Sequence, residues 1–222
     1  MFIQQYENIS DKNNQITQNN GIFISLEGVD GAGKTSHMEF IKDYLTNKGF
    51  IVKQTREPGG TIFGEELRRM ILSYDISDIT ELLLLFASRQ ELITQFIMPN
   101  LAVGNVVITD RFIDSSIAYQ AYARNQGIDK VESLIKILTP QIMPNLTLLF
   151  DVDLETAKQR KSKRQNGSDR IENLGDDFFN KVRNAYLDLA KKEPNRIKLI
   201  DNTLEDNYTQ KAIVSYLDAL YN

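Results

Sequence analysis

Cysteine and tryptophan are absent from the 222 residues, and histidine occurs once, as His37. Without thiols there can be no disulfide, no thiolate nucleophile and no sulfur-ligated metal. A single imidazole cannot build a multi-histidine metal centre. No apolar run approaches the roughly eighteen residues that a membrane-crossing helix needs, so a cytoplasmic protein without a membrane partner is expected. Excess positive charge is also missing. The formal net charge is -4, which argues against a protein that coats nucleic acid. Residues 1–20 hold nine Asn or Gln and lack the basic and hydrophobic regions of a secretory signal; they read as a loose polar extension.

Apolar residues make up 41% of the chain, enough for the core of one sizeable domain, expected over 21–222. Short apolar runs at 22–26, 51–52, 106–109, 146–150 and 197–200 read as strands. Helical patterns at 33–46, 62–73, 79–97, 113–123, 129–138, 154–163, 176–192 and 205–220 separate them. Such alternation predicts a parallel α/β sheet covered on both faces. The polar, basic stretch at 161–172 interrupts the rhythm and suits a closing lid.

The first apolar run leads straight into Gly28-Val29-Asp30-Gly31-Ala32-Gly33-Lys34-Thr35, a complete GxxxxGK[ST] phosphate-binding loop between a strand and a helix. Glycines let backbone N–H groups approach phosphate oxygens, and the following helix, with Ser36 in its first turn, presents its positive end. Lys34 is expected to bridge the β- and γ-phosphates of ATP, and Thr35 to give a hydroxyl to Mg²⁺. No asparagine-lysine-x-aspartate base reader of a GTPase is found. His37 reads as an ordinary helical residue. Arg56, within Thr55-Arg56-Glu57-Pro58-Gly59-Gly60, and Asp110-Arg111 follow strand candidates, where open parallel sheets place ligand-binding residues. Arg68 and Arg89 fall on the next helical candidates.

Together the phosphate loop, TREPGG at 55–60, DRFIDSSIAYQ at 110–120 and the basic segment ending in Asp169-Arg170-Ile171-Glu172 resemble the thymidylate kinase family. The resemblance implies a three-layer P-loop fold with a five-stranded parallel sheet, a short mobile lid near 160–172 and a homodimer. It also implies dTMP as acceptor and ATP–Mg²⁺ as donor. By the same resemblance Asp30 organises the acceptor phosphate and Arg56 and Arg111 bind it, while the residues themselves place Pro58 in the turn beside Arg56 and Arg68 on a helix that could point into the same cleft. Arg89 lies near the base, Ser115 and Ser116 edge the pocket, Tyr119 crowds a ribose 2′-hydroxyl, and Gln120 reads thymine. Asp110 joins Thr35 at the metal. Gly31 stands where some members carry arginine, which points to lid arginines, Arg160 or Arg164, as the compensating charges. The family's base-stacking phenylalanine stands four residues before the arginine represented by Arg89. Here Leu85 holds that position and Phe86 lies one residue on, so either could wall the base. Two alternatives remain at this level: a P-loop kinase for another nucleoside monophosphate, and a noncatalytic nucleotide-binding module.

Overall fold

The computed structural model describes residues 21–138, 142–162, 170–171, 173–203 and 205–221. The extension 1–20 and most of the expected lid, including Arg164, lie outside the described residues.

Five parallel strands form one sheet in the order β2-β3-β1-β4-β5: β1 Ile22–Glu27, β2 Val52–Arg56, β3 Val106–Asp110, β4 Leu146–Asp151 and β5 Ile197–Asp201. The central strand is buried along its whole length, which is why IFISLE shows no polar–apolar alternation. Ile24 and Leu26 join Val106 and Ile108 in a core with Met38, Ile41 and Leu45 of α1 (Lys34–Asn47). Phe23 and Val107, one residue out of phase, pack instead with Leu92, Ile93 and Ile97. Helices therefore cover both faces, and each fully buried aliphatic such as Ile41 contributes about 1.5–3 kcal/mol.

The remaining helices are α2 (Ile62–Ser73), α3 (Asp78–Leu92), α4 (Met98–Ala102), α5 (Ile113–Ser116), α6 (Ile128–Leu138), α7 (Leu154–Ser162), α8 (Asp176–Lys192) and α9 (Asp206–Asp218). Three expectations need correction here. The second strand begins at Val52 and runs to Arg56, whereas Ile51 is 63% exposed. Its polar residues Lys53, Gln54 and Thr55 hide it from a search for apolar runs.

The helix expected over 79–97 changes at Ile93 into a π-helical turn, Ile93–Ile97, before α4. Pro99 has no N–H to give Gln95, so the regular ladder cannot continue unchanged. Likewise, 113–123 is one turn of α5 followed by the π-helical segment Ile117–Ala123. Arg124 N donates across five residues to Tyr119 O at 2.8 Å. Such widened turns recur at functional sites, and this one carries Tyr119 and Gln120.

Candidate active site

The C-terminal strand ends present Glu27, Arg56 and Asp110 along one edge of the sheet. Beside them opens a cleft of about 610 Å³. Asp30, Gly31, Gly33, Lys34 and Thr35 line one wall; Arg56, Pro58, Arg68, Leu85, Arg89 and Arg111 line another, with Ser115, Ser116, Tyr119 and Gln120 beyond. The phosphate-loop residues and the acceptor-side residues named from sequence thus share one cavity. Gly28, Val29, Ala32 and Ser36 do not line it: Val29 and Ala32 are buried in the core, and Ser36 is exposed on the first turn of α1.

The loop curls tightly. Gly31 has φ 89°, and a Cβ there would stand 2.3 Å from Ala157 O of α7. Only glycine lets the loop and α7 approach so closely. Lys34 Nζ donates to Gly28 O at 3.0 Å and Val29 O at 3.2 Å, and lies 3.9 Å from both Asp30 and Asp110. Behind the loop, Asn202 donates from Nδ2 to Ala32 O (2.6 Å), and its Oδ1 pairs with His37 Nε2 (2.8 Å). His37 is buried and stacked on Phe150. Arg160 Nη2 donates to Asn202 O at 2.9 Å, so this arginine docks behind the loop, while its neighbour Lys161 lines the cleft.

Arg111 is the hub of the hydrogen-bond network on the far side of the cleft. Its φ of 75° is unusual for a residue with a side chain, and its carbonyl is pinned by Thr109 Oγ1 at 2.9 Å. Nη2 donates to Asp30 Oδ1 (2.8 Å) and the Tyr119 hydroxyl (3.1 Å); Nη1 donates to Ser115 Oγ (3.1 Å) and the Tyr186 hydroxyl (3.2 Å). Burial alone would raise the Asp30 carboxyl, but Arg111 and Lys34 outweigh it and hold it well below the usual carboxylate range. Burial, followed by the charge of Arg111, lowers the Lys34 ammonium. Beneath Arg111, Glu27 is fully buried and accepts from Phe112 N (2.8 Å), Ser115 Oγ (2.6 Å) and the Tyr186 hydroxyl (2.8 Å). Burial, then the nearby Asp114 charge, pushes its carboxyl up to about 7.

Arg89 is 2% exposed and pairs through Nε with Glu57 Oε2 at 2.7 Å. Its Nη2 donates to Phe112 O (3.1 Å) and Ser116 Oγ (3.0 Å), whereas Nη1 is buried with no acceptor among the described residues. Phe86, one of the two expected base walls, lies 1% exposed in the core, its ring 4.8 Å from the Arg89 guanidinium carbon. Leu85 lines the cleft instead. The 100° step between adjacent helical residues separates the two. Arg56 is more exposed; its Nη2 donates to Glu65 Oε2 at 2.9 Å, and Arg68 Nη1 reaches Pro58 O at 3.0 Å.

Several supporting groups escaped sequence reasoning. Glu27 and Glu81 are acids embedded in apolar runs, a signal that was available. Glu57 lies inside the TREPGG motif. Tyr186 and Asn202 come from distant parts of the chain and have no local signature.

A metal would find one fitting feature here: Asp110 Oδ1 is buried without a hydrogen-bond donor among the described residues and shares the cleft with Thr35. No group of three or more His, Cys, Asp or Glu able to hold a metal occurs among the described residues. One carboxylate and one hydroxyl suit a cation that takes its other ligands from phosphate and water.

The family model described as thymidylate kinase matches residues 26–213. A thymidylate kinase of Ruthia magnifica is 45% identical over 199 residues, spanning 87% of this chain and 97% of its own. That of Thermosipho melanesiensis is 41% identical over 199 residues, with coverage of 90% and 98%. The crystal structure of thymidylate kinase from Ehrlichia chaffeensis superposes with a TM-score of 0.73 at 30% identity, covering 90% of this chain and 99% of that one.

Proposed function

Since this chain belongs to the thymidylate kinase family and transfers the γ-phosphoryl group of ATP to dTMP, giving ADP and dTDP, we propose that its cleft holds the two nucleotides end to end. The observation that carries this reading is the sharing of one cavity by the phosphate loop and the arginine-rich acceptor wall.

In this reading the loop N–H groups and Lys34 hold the donor phosphates, and their partial and full positive charges offset the charge that shifts during transfer. Thr35 and Asp110 would hold Mg²⁺, which neutralises phosphate charge when bound. Arg56 and Arg111 grip the acceptor phosphate. Asp30, kept anionic by Arg111 and Lys34, orients that guanidinium rather than removing a proton. A phosphate acceptor already carries a nucleophilic oxygen, so alignment supplies most of the catalysis.

Tyr119 sits against the sugar, with Arg89, Leu85 and Gln120 around the base. Arg68 and Pro58 brace the TREPGG turn. Lys161, and Arg160 through Asn202, link the lid-side helix α7 to the donor site. The enzyme also works as a homodimer in this reading. Phe63 and Met70 lie exposed one heptad apart on α2, and Ile79 and Leu83 one turn apart on α3, and none of the four lines the cleft.

A purified-enzyme panel of dTMP, dUMP, UMP, CMP, AMP and GMP with ATP–Mg²⁺, against a no-acceptor control, tests the assignment. Strong preference for dTMP is expected. Turnover of UMP or CMP with negligible dTMP product would assign another acceptor, and ATP binding without any diphosphate product would leave only a nucleotide-binding module.

A further inference from the structure

Glu81 lies on α3 within DITELLLLF, and despite its charge it is 1% exposed. Its Oε1 accepts from Gln120 Nε2 at 3.0 Å and Arg124 Nε at 3.2 Å. Its Oε2 accepts from Arg124 Nη2 at 2.8 Å and from Arg170 Nη2. Arg124 also pairs with Asp78 at 3.1 Å, and Arg170 Nε donates to Ile71 O at 3.1 Å. A carboxylate between two guanidinium groups offers only lone pairs. The amide that meets it must therefore present its NH₂ end.

That constraint decides something a glutamine cannot decide alone. A free carboxamide turns over easily and offers a donor or an acceptor with equal readiness. With Nε2 fixed on Glu81, Gln120 turns Oε1 away from the carboxylate on a residue that lines the cleft.

We infer that Glu81 is a specificity-determining positioning residue: it holds Gln120 with its oxygen toward the acceptor base, so that the site takes a pyrimidine bearing N–H at N3 and rejects one whose N3 carries a lone pair. Thymine and uracil belong to the first class and cytosine to the second. The inference rests on dTMP being the acceptor and on Gln120 facing its base. It assigns the choice between imide and amidine rings to a residue that never touches the substrate.

The test is steady-state kinetics with dTMP and dCMP on the wild type, Glu81→Gln and Glu81→Asp. In Glu81→Gln the new amide can meet Gln120 in either sense, so the dTMP:dCMP ratio of kcat/KM falls by about tenfold or more. Part of that fall is a rise in absolute dCMP turnover, which mere structural damage does not produce. Glu81→Asp keeps a negative charge for Arg124 and Arg170 but withdraws it from Gln120. It lowers the ratio in the same direction, and it carries the test if the glutamine variant fails to fold. A ratio unchanged in both folded variants, or equal losses with both acceptors, overturns the inference. A wild type that does not prefer dTMP overturns the acceptor reading instead, and the two failures are told apart by that first measurement.

Discussion

Arg111 divides one guanidinium among Asp30, Tyr119, Ser115 and Tyr186, and does so from a left-handed backbone that few side-chain-bearing residues adopt. A lysine has charge but no planar fork and cannot hold four partners at once. Arg111→Lys should lower kcat/KM for dTMP on the order of a hundredfold while leaving the KM for ATP within about twofold, as read by initial rates. Glu27 beneath it gives a pH signature. Its folded carboxyl is raised from 4.5 to about 7, so the folded state holds a proton that the unfolded chain has already lost. The stability tied to that proton is complete below about 4.5 and disappears as pH climbs to about 7. Thermal melts of wild type and Glu27→Gln across this window should therefore show the wild type losing Tm relative to the variant, with a constant difference above it. A difference that does not change with pH would refute the assignment. Of these residues, Lys34 and Arg111 were legible in the sequence because their motifs are contiguous. Asp30 was named for the same reason, but Glu27 beneath Arg111 was not, since an acid in an apolar run reveals burial but not its partner.

Among the elements, the junction of phosphate loop and α7 is the most exacting. Gly31 combines φ 89° with a backbone oxygen 2.3 Å from where a Cβ would lie. Gly31→Ala should raise the KM for ATP and cost about 1–3 kcal/mol of stability, measured by denaturant titration. A variant with wild-type ATP affinity and stability would mean that α7 yields freely. The strand–helix alternation was readable wherever apolar runs were continuous. It failed at β2, whose polar residues are paired by register with β3 rather than advertised by composition. It also missed both π-helical turns, because a shift from four-residue to five-residue bonding leaves no periodic trace in so short a stretch. The Leu85 and Phe86 ambiguity had the same origin: spacing named both residues, and only the helix's rotation against the sheet separates them.

For the whole molecule, the fold brings the glycine-rich loop, Arg56, Arg111 and both tyrosines to one end of the sheet from positions more than 150 residues apart in the chain. The opposite consideration governs the outer face of α2 and α3, where apolar side chains remain exposed. Leu83 is 53% exposed, so Leu83→Glu disturbs little of the core. In sedimentation runs the wild type is expected at twice the chain mass and this variant at the single-chain mass. A wild type that sediments as a single chain would remove the dimer reading.

The idle N–H of Arg89 carries a lesson for inhibitor chemistry. Its buried Nη1 has no acceptor among the described residues, while the neighbouring Nη2 already binds Ser116 Oγ. A small heterocycle that seats a carbonyl there gains a charge-assisted hydrogen bond in a desolvated place, among the more rewarding contacts per atom. Leu85 lines the same cleft and offers a branched aliphatic surface there. A scaffold with a substituent shaped to that branched side chain would add an apolar contact beside the hydrogen bond.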